Sequence, residues 1–195
     1  MINWEHSRFS DDEIYLNENR YNKPKETHQK ILSLIKKESK NNSNLTVLDC
    51  GCATGELTYF LSRNLQNSNF TGFDISSKMI SRAKERMPEI DFFVQDLLVN
   101  YIDWNIKPKN DFVLLSGVIS AFDDFTYIIN NLISCSNKNG KIIITVLFNK
   151  DPIDVIMRYK RSNSEEWECG WNTTSKESYE KYFNNNKLVK SFYWE

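Results

Sequence analysis

The run Val47-Leu48-Asp49-Cys50-Gly51-Cys52-Ala53-Thr54-Gly55-Glu56 decides the fold of this chain. A short apolar strand leads into a loop of small residues, and a helix follows at once. Gly51 and Gly55 permit tight turns and let a ligand lie against the backbone. The N–H groups at the start of the following helix suit a carboxylate or a phosphate. The run therefore predicts a strand–loop–helix unit that can hold a small ligand.

Predicted strands and helices alternate along the rest of the chain. A helix within Lys25–Ser39 precedes the quoted run. Downstream, strands are predicted at Asn69–Asp74, Ile90–Val94, Asp111–Ser116 and Lys141–Phe148, and helices at Glu56–Asn64, Ser77–Arg86 and Phe125–Cys135. The last two strands are continuous apolar runs, which are typical of strands buried on both faces of a parallel sheet. The pattern predicts an α/β fold, a doubly wound and mostly parallel sheet with helices on both faces.

The segment after Asp151 has a less regular pattern. Pro152–Lys160 is interpreted as a helix, and Glu165–Asn172 as a loop or an irregular strand. A capping-box pattern predicts a further helix that begins at Thr174. Lys187–Trp194 is predicted to form a C-terminal strand.

Asp74 ends the second predicted strand, about 20 residues after the loop, where a carboxylate can accept both hydroxyls of a ribose. Asp74 lies in the second of five stretches that resemble the motifs of class I S-adenosylmethionine-dependent methyltransferases of the small-molecule type. They are Val47–Glu56, Gly72–Ile80, Phe93–Leu97, Phe112–Val118 and Gly140–Ile144, in the order that the family has them. The resemblance extends from about residue 45 to residue 148.

The resemblance implies a Rossmann-like methyltransferase fold with strand order 3-2-1-4-5, to which the predicted C-terminal strand is added. It implies S-adenosyl-L-methionine as the cofactor and S-adenosyl-L-homocysteine as the product. Asp74 is then expected to hold the ribose, and Asp96 to meet the adenine amino group. The cofactor-binding residues implied by the motifs are Asp49, Gly51, Cys52, Ala53, Gly55, Asp74, Ile75, Met79, Asp96, Leu97 and Ser116.

Two features depart from the family pattern. Ala53 stands where the first motif has its middle glycine, which adds a methyl group near the cofactor and restricts positive φ. The family's sheet also normally ends with two further strands, and only Lys187–Trp194 is predicted here. A truncated chain, substitution by Glu165–Asn172 or an abbreviated fold would each explain that difference.

No side chain is singled out as a dedicated general base. Methyl transfer is an in-line displacement in which the cofactor carries the reactivity, so positioning can supply much of the rate. His28, Asp123 and Asp124 are candidates for deprotonating an acceptor. Each also has an ordinary alternative, since a lone histidine is often packed and an aspartate after a strand often caps a helix. The catalytic residues are therefore left open.

Composition limits the partners of the chain. Its formal net charge is -1 and it has no basic stripe, so a small-molecule or sugar-type acceptor is expected and nucleic acid is not. Four cysteines and two histidines give no metal-ligand spacing, so no metal is expected. No apolar run reaches the roughly 20 residues that span a bilayer, and no secretory signal is visible. We expect a cytoplasmic monomer or weak homodimer without membrane contact.

We expect one methyltransferase domain over 1–195, divided into an N-terminal helical or lid segment at 1–44, a cofactor-binding core at 45–148 and a substrate-side segment at 149–195. Two other classes of function remain alternatives. A non-catalytic cofactor-binding or interaction module would explain Ala53 and the lack of an obvious base. An NAD-dependent oxidoreductase shares the strand–loop–helix start and the acidic strand end.

Overall fold

The computed structural model describes residues 12–18, 20–40, 44–99 and 109–194. The first eleven residues of the expected N-terminal segment lie outside these ranges. The helices are α1 Asp12–Asn17, α2 Glu26–Glu38, α3 Glu56–Asn64, α4 Ser77–Arg86, α5 Phe125–Cys135 and α6 Lys176–Asn185. The strands are β1 Thr46–Cys50, β2 Asn69–Asp74, β3 Asp91–Val94, β4 Asn110–Ser116, β5 Ser136–Thr145, β6 Phe148–Asn149, β7 Arg158–Lys160, β8 Trp167–Cys169 and β9 Thr174–Ser175.

The chain divides into two compact units, and each is described by itself. The sheet unit contains the described residues up to 116 together with 130–145. The second unit contains 117–129 and the described residues from 146 onward. Helix α5 contributes residues to both. The expectation of one domain over 1–195 stays a prediction.

Five parallel strands form the sheet in the order β3-β2-β1-β4-β5, as predicted. Asp49 in β1 lies opposite Gly72 in β2 and Leu114 in β4. The strand order reverses between β1 and β4, so right-handed crossovers place α3 and α4 on one face and α5 on the other. The crevice outside the carboxyl ends at such a reversal is where open α/β sheets bind ligands.

Apolar residues of the strands and helices form the core of the sheet unit. Leu48 and Leu114 are fully buried in neighbouring strands, because parallel strands are covered on both faces. Ile31 and Ile35 of α2 and Leu61 of α3 belong to the same cluster as Leu114. The bounds predicted for α3, β2, α4 and α5 are the observed ones. Strand β5 is displaced toward the N-terminus and begins at Ser136 directly after α5.

The second unit contains short strand pairs, helix α6 and the first residues of α5. Two predictions for this unit were wrong. Pro152–Lys160 is not a helix: Val155 bridges Thr173, and β7 within this stretch pairs antiparallel with β8. Lys187–Trp194 is not a strand in the described part of the chain, which shows no strand after β9. The N-cap of helix α6 is Ser175, one residue after the predicted cap Thr174, and its side chain accepts from the N–H of Ser178.

Aromatic packing explains why the C-terminal residues do not form a strand. The Trp194 ring lies 4.9 Å from that of Phe148, and its indole N–H donates to Glu180 at 3.0 Å. The Phe192 ring lies 5.1 Å from that of Phe183 in α6. The rings thus place this segment against α6 and β6 by side-chain contacts, which replace the ladder of a strand.

None of the helices in the described ranges is long and apolar enough to cross a membrane.

At the amino ends of the strands, one carboxylate joins three elements. Asp111 in β4 accepts from the backbone N–H and the hydroxyl of Thr46, both at 2.9 Å, and from the Asn137 amide at 2.7 Å. Burial alone would raise the pKa of Asp111, but these donors favour the charged form and lower it overall.

We expect Asp111→Asn to lower the free energy of unfolding by about 1–2 kcal/mol at pH 7, because donors that paired with a carboxylate lose part of their partner. The depressed pKa means that the difference is present above the unfolded-state pKa of Asp and is lost as the pH falls through the native one. Urea denaturation from pH 7 down to pH 3 measures this. Asp91→Asn, at an exposed position of β3, is the control, and equal losses in both variants would contradict the prediction.

Candidate functional site

In the loop after β1, three alternate residues have a left-handed backbone conformation. Gly51, Ala53 and Gly55 have φ values of 67°, 48° and 82°. Between them, the Cys52 N–H donates to the Phe73 carbonyl of β2 at 2.9 Å, and the Gly55 N–H donates to the Cys52 carbonyl at 2.8 Å. The loop is thereby folded against the carboxyl end of β2.

Gly55 is favoured by its φ of 82°, which other residues rarely adopt. It is the N-terminal cap of α3, and a Cβ at this position would lie 2.6 Å from the Met87 methyl carbon and 3.2 Å from the Phe92 ring. A side chain at residue 55 would therefore also make the flexible end of Met87 move. Ala53 adopts positive φ in spite of its methyl group, at a cost of roughly 1 kcal/mol.

Asp74, at the end of β2, is held by the loop that it faces. Its Oδ2 accepts from the Ala53 N–H at 2.9 Å, and its Oδ1 accepts from the Ser76 N–H at 2.9 Å. A carboxylate has about four acceptor positions, and these two bonds use one on each oxygen. The arrangement fits a group that accepts hydrogen bonds from a pair of vicinal hydroxyls.

Asp49 lies beneath the loop and is 2% exposed. Burial raises its pKa to about 7; the Thr58 hydroxyl, which donates at 2.6 Å, opposes the rise, and the nearby charge of Asp74 adds to it. The contact joins the end of β1 to the first turns of α3. Asp49 thus fixes the loop from below.

Two exposed apolar side chains lie next to Asp74. Ile75 follows Asp74 in the chain, and Val94 of β3 is paired with Asp74 in the sheet register. These two apolar side chains are 57% and 52% exposed. Met79 is buried in α4, whose N-cap is Ser76. Exposed apolar groups at neighbouring strand ends suit a flat, weakly polar ligand group.

The two remaining strand ends carry the other residues expected at the site. Asp96 accepts from the Leu98 N–H at 2.8 Å in the turn after β3, and Leu97 is buried there. Ser116 ends β4, and its hydroxyl lies 2.9 Å from that of Thr145 in β5. The sheet unit therefore brings the expected cofactor-binding residues to the carboxyl ends of β1–β4.

The candidate general bases have structural contacts of their own. His28 in α2 is 5% exposed, and burial, with help from the charges of Lys25 and Arg20, lowers its pKa to about 4. The imidazole is neutral at pH 7, and its Nδ1 has no hydrogen-bond partner among the described residues.

Both aspartates lie in the second unit. Asp123 forms an ion pair with Arg158 and accepts from the Asn172 amide at 2.9 Å. Asp124 accepts from the N–H and the hydroxyl of Thr126 at the start of α5. Their assignment as general bases stays a prediction, as does that of His28.

The four cysteines are buried and form no disulfide, and the described part of the chain holds no group of three His, Cys, Asp or Glu that could bind a metal.

No sequence pattern predicts the contacts that Arg20 and Tyr21 make with the loop and with α3. The Tyr21 hydroxyl donates to the Thr54 carbonyl, and the N–H of Arg20 donates to Glu56 at 2.7 Å. The Tyr21 ring meets Tyr59 edge to face at 5.2 Å. The segment between α1 and α2 is thus fastened to the loop and to the start of α3. A lone tyrosine in a polar stretch does not reveal such a partner 33 residues away.

A parallel sheet whose first strand opens into a left-handed loop, and whose second strand ends in a carboxylate, defines a Rossmann-like protein with a nucleotide-type ligand site. A family described as a methyltransferase domain matches residues 41–187, and the chain belongs to this family. Membership disfavours the NAD-dependent oxidoreductase alternative.

Relatives of the chain are methyltransferases by name. A putative methyltransferase 235L of Invertebrate iridescent virus 6 is 34% identical over 94 residues, which cover 48% of this chain and 36% of the relative. Malonyl-[acyl-carrier protein] O-methyltransferase 1 of Ilyobacter polytropus is 31% identical over 107 residues, covering 53% and 38%. The chain thus spans less than half the length of these relatives. The crystal structure of coclaurine N-methyltransferase, bound to N-methylheliamine and SAH, shares the fold with a TM-score of 0.62 at 15% identity, covering 80% of this chain and 47% of that one.

We expect Ala53→Gly to raise the free energy of unfolding by about 1 kcal/mol, because glycine adopts the left-handed conformation without steric cost. Chemical denaturation measures the change. Ala83→Gly in α4, where φ is helical, is the control and should destabilise the protein. A loss of stability in Ala53→Gly would contradict the strain assigned to residue 53.

We expect Tyr21→Phe to open the segment between α1 and α2 about 3–10 times more often, because it removes one hydrogen bond and keeps the ring. The rate of tryptic cleavage after Arg20 and Lys23 reports the opening. Tyr59→Phe removes a hydroxyl from the other ring of the same pair and should leave the rate unchanged. Equal rates in wild type and Tyr21→Phe would show that the hydroxyl does not hold the segment.

Proposed function

We propose that this chain binds S-adenosylmethionine at the carboxyl ends of β1–β4 and transfers its methyl group to a small-molecule acceptor. The observation that carries the proposal is the Asp74 carboxylate, held by the N–H groups of Ala53 and Ser76 beside the left-handed loop. Family membership and the named relatives support the reaction class.

The residues present fit each part of this cofactor. Asp74 would accept from the ribose hydroxyls, and Ile75 with Val94 would cover the adenine. The loop from Gly51 to Gly55 would lie against the amino-acid end of the cofactor. Asp96 and Leu97 would meet the edge of the base. When bound, the cofactor supplies an electrophilic methyl group on a sulfonium.

The protein's contribution to the reaction is mainly positioning. Holding an acceptor atom in line with the methyl group supplies several kcal/mol without any proton transfer by the protein. His28 is neutral and buried, Asp123 is paired, and Asp124 caps α5. These contacts agree with a reaction that relies on an acceptor already able to attack.

The sequence after β4 limits the classes of acceptor that we expect this chain to methylate. Ser116-Gly117-Val118-Ile119 lacks the Asn/Asp-Pro-Pro-aromatic motif with which related enzymes accept hydrogen bonds from planar nitrogens. This disfavours adenine-N6 and glutamine methylation. A sugar-type acceptor is the narrower proposal, and an acyl acceptor, suggested by the name of the Ilyobacter relative, belongs in the same first screen. We further propose a cytoplasmic monomer or weak homodimer that engages neither nucleic acid nor membrane.

A non-catalytic cofactor-binding module is the second candidate function. The left-handed Ala53 and the engaged candidate bases favour it. Turnover separates the two candidates: transfer of a labelled methyl group to any member of an acceptor panel supports the enzyme, whereas binding without transfer supports the module.

Calorimetric titration tests the cofactor site. We expect wild-type protein to bind S-adenosylmethionine and S-adenosylhomocysteine and not NAD, and Asp74→Ala to weaken binding by about 1.5–3 kcal/mol, the scale of lost charge-assisted hydrogen bonds. Asp91→Ala, at an exposed acidic residue of β3, is the matched control. Unchanged affinity in folded Asp74→Ala would remove the ribose assignment, and a folded wild type without affinity for either ligand would overturn the proposed function.

A further inference from the structure

The turn after β3, Asp96–Val99, has hydrogen bonds of its own, and the Gln95 side-chain amide donates to the Asp96 carbonyl at 3.1 Å. Asp96 Oδ1 accepts from the Leu98 N–H at 2.8 Å, and the Val99 N–H reaches the Asp96 carbonyl at 3.3 Å. The turn begins where the Gln95 N–H donates to the Asp74 carbonyl at 3.0 Å. It therefore continues directly from the strand ends of the proposed cofactor site, and its conformation decides where the Asp96 side chain lies.

One residue of α5 holds this turn from outside. The Asn131 Nδ2 donates to the Leu97 carbonyl at 3.0 Å and to the Val99 carbonyl at 3.1 Å. A side-chain amide has two N–H donors, and here they reach the two carbonyls on either side of Leu98. A single planar group thus fixes the direction of two peptide units.

The position of Asn131 argues against a role in filling the core. Its side chain is 5% exposed, and Leu132 and Cys135, which follow it in α5, are fully buried. An amide among apolar residues is costly unless its donors are paired. Both carbonyls that the amide reaches belong to the turn, 34 and 32 residues away in the sequence. The free energy of burying the amide is therefore recovered through the shape of the turn.

We propose that Asn131 is a positioning residue for adenine recognition, acting through the turn that carries Asp96. The inference rests on the proposed function, since it assumes that Asp96 meets the adenine amino group. Asn131 need not contact the ligand. Without its two hydrogen bonds the turn would sample other conformations, and the Asp96 carboxylate would face the amino group for a smaller part of the time.

Two ligands that differ along one edge of the base test the inference. S-adenosylhomocysteine has an exocyclic amino group that can donate to Asp96. S-inosylhomocysteine has a carbonyl oxygen in its place and a hydrogen on the adjacent ring nitrogen, so the amino donor is absent. Wild-type protein should prefer the first, and the ratio of the two dissociation constants measures base recognition. A variant that only loosens the protein weakens both ligands equally and leaves the ratio unchanged.

In Asn131→Leu, which keeps the approximate size and removes both donors, we expect affinity for S-adenosylhomocysteine to fall about tenfold and affinity for S-inosylhomocysteine to change little. The ratio should therefore collapse. Asn131→Ser, with one donor and a smaller volume, should give an intermediate ratio and serves if the leucine variant does not fold. Asn130→Leu, at the exposed neighbouring position, is the matched control and should keep the wild-type ratio.

The possible outcomes distinguish a failure of the role proposed for Asn131 from a failure of the proposed function. A wild-type preference that persists in folded Asn131→Leu and Asn131→Ser would overturn the role of Asn131 and leave the cofactor site intact. Wild-type protein that binds both ligands equally would overturn the recognition of the amino group, on which that role depends. A folded wild type that binds neither ligand would overturn the proposed function itself.

Discussion

The bridge from Asp74 to the N–H groups of Ala53 and Ser76 is the interaction on which the rest of the sheet unit's carboxyl edge depends. It ties the end of β2 to the loop after β1 and to the cap of α4 in one step. A parallel sheet leaves its strand ends to separate loops, so something must fix those loops relative to one another. A carboxylate that accepts on both oxygens does this.

The same solution recurs beneath and beside the loop. Asp49 is buried and accepts from Thr58, while Asn131 is buried and donates to two carbonyls of the turn after β3. In both cases an expensive buried polar group has partners in another element. Apolar residues could fill these volumes but could not specify the direction of a peptide unit. The strained φ of Ala53 persists because the loop around it is held in this way.

The sequence predicted the sheet well because parallel strands are buried on both faces, so their apolar runs are visible without knowledge of the partner strand. Asp74 was predictable because its offset from the loop follows from the length of one strand–helix unit. The contacts of Tyr21 and Asn131 were not predictable, since their partners lie 33 and 34 residues away in the sequence. Neither residue belongs to a periodic pattern. Lys187–Trp194 was misassigned because aromatics that pack on a helix have the composition of a strand.

The expected cofactor-binding residues and the candidate bases differ in how the fold positions them. The expected cofactor-binding residues lie at or near strand ends whose positions the sheet dictates, so a motif and a spacing locate them. The candidate bases do not share this constraint: His28 is packed in α2, and Asp123 and Asp124 hold segments of the second unit. A reaction that depends on alignment more than on proton transfer requires no charged residue in a fixed register. It requires instead that the loops around the methyl donor be held still, and polar contacts such as those of Asp49, Asp74 and Asn131 hold the loops at the carboxyl edge of this sheet.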